Sequence, residues 1–88
     1  MKVLIMEDLL GTSREVAGHG FVSYRYVLAR DQMGFSLHKT VIPKGEPLHW
    51  HYTNHLEACL CISGRGILTN RRTGEVFLIN PDTCYLLD

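Results

Sequence analysis

The densest chemistry in the chain lies in Gly45-Glu46-Pro47-Leu48-His49-Trp50-His51-Tyr52-Thr53-Asn54-His55-Leu56-Glu57. Two histidines at i and i+2 on an extended strand project from one face, which is a chelating geometry. Trp50, between them, faces the other way and reads as packing. Glu57 opens the next apolar run and shares its strand face with Cys59 and Cys61. A carboxylate on the inward side of a buried strand is costly unless it is paired or bound to a metal. A mixed imidazole and carboxylate set suits iron, manganese, zinc or nickel, and the residues do not choose among them. The competing reading makes Glu57 a buried carboxylate paired with a local cation or hydroxyl.

The elements that must position these residues are short strands. Runs with strand character cover 2–5, 21–28, 35–42, 57–62, 66–70, 75–79 and 84–87, separated by frequent Gly and Pro. Arg71-Arg72-Thr73-Gly74 reads as a hairpin turn. Residues 7–10 fit one helical turn, and nothing longer holds a 3.6-residue period. Many short strands at close spacing predict an all-β sandwich or barrel. The last run, Cys84-Tyr85-Leu86-Leu87-Asp88, has no turn signal after it. A sheet stopped there leaves unpaired edge groups and an uncovered apolar face, so a homodimer or a strand-exchanged oligomer is expected to cover it.

The bulk composition removes several function classes. The 88 residues suffice for one domain, with a modest core. Nine basic and nine acidic side chains cancel, which argues against binding nucleic acid or an anionic membrane. The chain is also less acidic than proteins adapted to concentrated internal salt, so if salt matters here the expectation is a cell that excludes it and accumulates an organic solute instead. Cys59, Cys61 and Cys84 cannot all pair within one chain, and they read as small buried hydrophobes in a reducing compartment. The apolar start at Met1 is cut short by Glu7 and Asp8, and no apolar stretch approaches membrane-spanning length. The expected location is the cytoplasm.

Gly45, His49-x-His51, Glu57 and, after six intervening residues, Gly64 resemble the first motif of the cupin superfamily. Gly74 followed by Pro81 resembles the start of its second motif, with Pro81-Asp82 standing where most cupins have a Pro-Gly turn. Within cupins the match is to the ectoine synthases. It rests on His49-x-His51-Tyr52-x-x-His55-x-Glu57-Ala58, Cys61-Ile62, Gly64-x-Gly66, Met33-Gly34-Phe35-Ser36-Leu37-His38-x-Thr40 and Tyr85-x-Leu87-Asp88. The resemblance implies a cupin-type antiparallel β-barrel or jelly roll, one domain over 1–88, C-terminally incomplete relative to a typical member.

It also implies a lyase that cyclises an N-acetylated diaminobutyrate to ectoine with loss of water, serving compatible-solute biosynthesis under osmotic stress. Iron(II) is the implied cofactor, with zinc, manganese or nickel, or a metal-free chain, as alternatives. Glu57 and Tyr85 match two of the family's iron ligands, and the third, a histidine after the tyrosine, is absent. Arg25, Thr40 and Tyr52 match pocket positions for the small-molecule substrate, and Tyr52 and Glu57 are the residues assigned to catalysis. Arg25 suits a bidentate grip on the substrate carboxylate. Phe21 stands where many members have tryptophan. General cupin logic would make His49 and His51 ligands, whereas the ectoine synthase resemblance does not. Two other readings stay open: a catalytically silent cupin that binds a small polar ligand or metal and self-associates, and an oxygenase or isomerase using His49, His51 and Glu57.

Overall fold

The structure, a computed structural model, describes residues 1–49 and 56–87. The chain divides into two compact units, Met1–His49 and Trp50–Asp88. Among the described residues, every regular element is an antiparallel strand or a single turn of 3₁₀ helix, so the all-β expectation holds.

In the first unit, β1 (Glu15–Gly18), β2 (Phe21–Val27) and β3 (Leu37–Val41) form a sheet in the order β1-β2-β3. The sequence reading missed β1. Glu15-Val16-Ala17-Gly18 holds a single residue of high strand propensity, and the strand forms because the His19-Gly20 reversal lays it on β2. Phe21 pairs with Gly18, and its ring fills the space that a side chain at Gly18 would need.

Gly20 has φ +82°, a conformation that favours glycine, and a Cβ there would lie 2.7 Å from the flexible end of Leu48. Because the Leu48 methyl can yield, the left-handed backbone supplies most of the cost. Gly20→Ala is therefore expected to destabilise the protein by about 1–2 kcal/mol in urea unfolding.

Residues 2–5, read as a strand, form none. They lead into a 3₁₀ helix, Met6–Asp8, whose last carboxylate accepts the Ile5 N–H at 2.9 Å. That helix seats Leu9, which is 1% exposed and is the buried apolar residue of this unit's described core. A second 3₁₀ helix, Ala29–Asp31, repeats the device, with the Leu28 N–H donating to Asp31 at 2.8 Å. Both oxygens of Asp31 also receive the Arg14 guanidinium, each at 2.8 Å, so the loop after β2 is tied to the residue before β1. Arg14, and after it the Leu28 N–H, hold the Asp31 carboxyl well below the usual carboxylate range.

In the second unit, β4 (Glu57–Leu60) pairs with β7 (Cys84–Leu87), and β5 (Gly66–Thr69) pairs with β6 (Val76–Ile79). The 71–74 turn joins β5 to β6 as expected. Asn70 accepts the Gly74 N–H at 2.7 Å through its carbonyl, and the Arg72 N–H at 3.0 Å through its side chain. Asn80-Pro81-Asp82-Thr83 is a tight turn closed by the Thr83 N–H donating to the Asn80 carbonyl at 3.0 Å. Asp82 takes φ +71° there, so this chain makes the reversal with aspartate in the left-handed position. The Asp82 N–H donates to the Cys61 carbonyl at 2.8 Å, and the Cys61 N–H donates to the Thr83 carbonyl at 2.9 Å. These bonds set the register of β7 on β4.

No helix among the described residues is long and apolar enough to cross a membrane.

Candidate functional site

Strand alternation places Glu57, Cys59, Tyr85 and Leu87 on one face of the β4–β7 pair. Glu57 is opposite Leu87, and Cys59 is opposite Tyr85. The accessibility pattern agrees, since all four are half-buried while Ala58, Leu60, Cys84 and Leu86 are exposed. Tyr85 is thus the diagonal cross-strand neighbour of Glu57, within reach of long side chains. The two residues that the sequence resemblance assigned to iron come together on one surface.

Glu57 Oε2 is buried and has no hydrogen-bond partner among the described residues. Its expected rivals for a metal, a local cation or hydroxyl on that oxygen, are therefore not seen there. A buried acceptor left in this state costs about 1–3 kcal/mol, more if charged, unless a cation or donor reaches it. The Cys59 thiol lies in the same cluster. Burial pushes it up from its ordinary range, the Tyr85 hydroxyl partly offsets this by hydrogen bonding, and the neighbouring Glu57 carboxylate pushes it further. A buried oxygen that lacks a partner, beside a phenol and a thiol, is a donor set that fits a divalent transition metal.

A separate cluster forms on the β1-β2-β3 sheet of the first unit. Ser23 pairs with Thr40 and Arg25 with His38, so Arg25 and Thr40 are diagonal neighbours on one face. Phe21, two residues before Ser23, shares that face and presents its ring there. The register shifts between Arg25 and Val27, and such a bulge re-aims the side chains beside it. Arg25 Nε is buried and has no hydrogen-bond partner among the described residues, while Thr40 is exposed. A buried guanidinium nitrogen of this kind calls for an anionic or carbonyl acceptor. Among the described residues, the two buried side-chain atoms that lack partners thus belong to residues singled out from the sequence, one cationic and one anionic.

His49 is exposed, in a segment without regular structure. His51, Tyr52 and His55 lie outside the described residues, so the structure does not place them. No three His, Cys, Asp or Glu side chains converge on one point among the described residues, and the Glu57 cluster is completed by a phenol. Sequence reasoning took Cys59 as a small buried hydrophobe, and the structure sets it half-buried on the face of Glu57 and Tyr85. Its position two residues after Glu57 was the available signal.

The family model described as ectoine synthase matches residues 1–88. The chain belongs to the ectoine synthase family. The L-ectoine synthase of Alkalilimnicola ehrlichii is 47% identical over 88 residues, covering 100% of this chain and 67% of that protein. The L-ectoine synthase of Halalkalibacterium halodurans is 43% identical over the same length, covering 68% of that protein. The crystal structure of ectoine synthase from P. lautus superimposes with a TM-score of 0.86 at 34% identity, covering 100% of this chain and 63% of that one. The chain thus spans about two thirds of the length of the ectoine synthases it matches. This likeness carries the cupin assignment.

Proposed function

We propose that this chain carries the metal-holding face and part of the substrate pocket of an L-ectoine synthase. In this reading it acts on a small N-acetylated diaminobutyrate and closes it to ectoine with loss of water. The observation that carries the reading is the pair of buried atoms, Glu57 Oε2 and Arg25 Nε, that have no hydrogen-bond partner among the described residues, in a chain of this family. One atom suits a metal ion and the other suits the substrate carboxylate.

In the reaction, the free amine nitrogen bonds to the acetamide carbon, and the carbonyl oxygen leaves as water, taking two protons from nitrogen. The Glu57 carboxylate and the Tyr85 phenol would hold iron(II), with zinc, manganese or nickel as substitutes. When bound, the metal supplies Lewis-acid polarisation of the amide oxygen. Arg25 holds the substrate carboxylate through paired, charge-assisted hydrogen bonds. Thr40, diagonal to Arg25, offers a hydroxyl to the same end of the substrate. Tyr52, in the same reading, orients the acetamide. Fixing both ends of a flexible chain brings amine and carbonyl together, the main entropic gain that an enclosing site offers to a ring closure.

Incubating the chain with iron(II) and the N-acetylated diaminobutyrate tests this directly. Ectoine formation above the uncatalysed rate is the expected result. A chain that binds the metal and produces no ectoine would instead be a silent cupin, and oxygen consumption would favour an oxygenase.

Self-association in the cytoplasm belongs to the same reading. On the outer faces, Leu60 is 59% exposed, Leu86 74%, Ile67 70% and Leu78 72%. Apolar surface on this scale marks an interaction site, and a second copy of the chain would supply matching strands. Light scattering on the eluting protein is expected to give a dimer mass, and a monomer would refute the point.

A further inference from the structure

We propose that Cys59 is a further metal donor, its sulfur joining the Glu57 carboxylate and the Tyr85 phenol in one coordination face. The inference rests on the metal reading above and adds a soft donor to an otherwise all-oxygen pair. Three observations support it. Cys59 is directly opposite Tyr85 in the β4–β7 register and two residues from Glu57, so all three side chains leave the same face. The thiol is half-buried and free of any disulfide, and the β4–β7 register sets it between Tyr85 across the pair and Glu57 along the strand, so three unlike donors share one patch of that face. Glu57 Oε2 is buried and has no hydrogen-bond partner among the described residues, so the cluster includes an acceptor that their hydrogen bonds do not satisfy.

The other thiols are placed differently. Cys61 follows the end of β4 and directs its Sγ to the Ser63 carbonyl at 3.3 Å, and Cys84 projects from the opposite, exposed face. On coordination the metal–sulfur bond forms, the S–H bond breaks, and the proton passes to solvent. A sulfur donor favours cobalt, iron or zinc over manganese, which separates this face from a purely carboxylate and imidazole set.

The test uses the 88-residue chain with cobalt(II) alone, under anaerobic conditions. In a C61S/C84S protein, where Cys59 is the remaining thiol, cobalt is expected to raise a near-ultraviolet sulfur-to-cobalt charge-transfer band. Adding C59S or C59V should remove that band and weaken cobalt binding about tenfold. Cobalt bound without the band would overturn the role of Cys59 while leaving the Glu57–Tyr85 site standing. No cobalt bound at all would overturn both. Should the serine substitutions prevent folding, alkylation of the unaltered chain with peptide mapping answers the same question. Cys59 should be protected by cobalt while Cys84 is not, and equal modification of Cys59 with and without the metal would refute the proposal.

Discussion

Replacing Glu57 by glutamine is expected to lower iron(II) affinity by about a hundredfold or more while leaving the metal-free protein as stable as before, or more so. Removing an outer-sphere partner of a metal typically costs about 10–100-fold in affinity, and removing a carboxylate ligand should cost at least as much. The opposite sign for stability follows from Oε2, which is buried and lacks a hydrogen-bond partner among the described residues. A charged oxygen in that state is a liability in the absence of metal, and the neutral amide relieves it. The two effects are read separately, one by anaerobic metal titration and the other by the Tm of the metal-free chain. Unchanged iron affinity would remove Glu57 from the ligand set. A large fall in apo stability would mean that the carboxylate has a structural partner instead.

Arg25→Ala is expected to raise KM for the carboxylate substrate by about 10–150-fold, the equivalent of a lost charged hydrogen-bond pair of about 1.5–3 kcal/mol. The effect should fall mainly on KM, because a grip on the substrate carboxylate persists from ground state to transition state. Arg25→Lys is not expected to restore it, since an ammonium cannot reproduce the flat two-pronged contact. Steady-state kinetics on the three proteins, and on a substrate analogue lacking the carboxylate, decide the matter. If the analogue and the natural substrate respond alike, the guanidinium does not hold that group.

Strands β2 to β7 were legible because Val, Ile, Tyr, Phe and Leu recur there between Gly and Pro marks. Strand β1 was not, since Ala17 and Gly18 carry no strand signal and take their conformation from the reversal at Gly20. Residues 2–5 misled for the converse reason. They are apolar enough for a strand, but the carboxylate of Asp8 reaches back to the Ile5 N–H and starts a turn. At the site, Glu57 and Tyr85 were named from a family resemblance, but their meeting depends on the register of β7 on β4. That register is fixed by the Cys61–Thr83 and Asp82–Cys61 backbone bonds, which no local pattern announces. Cys59 was visible on the same face as Glu57, and its pairing with Tyr85 needed the sheet.

The β5–β6 hairpin is nested inside the segment that connects β4 to β7. An open connection of that length would make closing β4 on β7 entropically expensive, and the hairpin shortens the free chain that must be closed. The cluster of Glu57, Cys59 and Tyr85 therefore depends on a hairpin that donates no side chain to it. Loosening the turn at Asn70 and Gly74 would lengthen the effective loop and weaken the donor face from a distance, with no contact altered at the donors themselves.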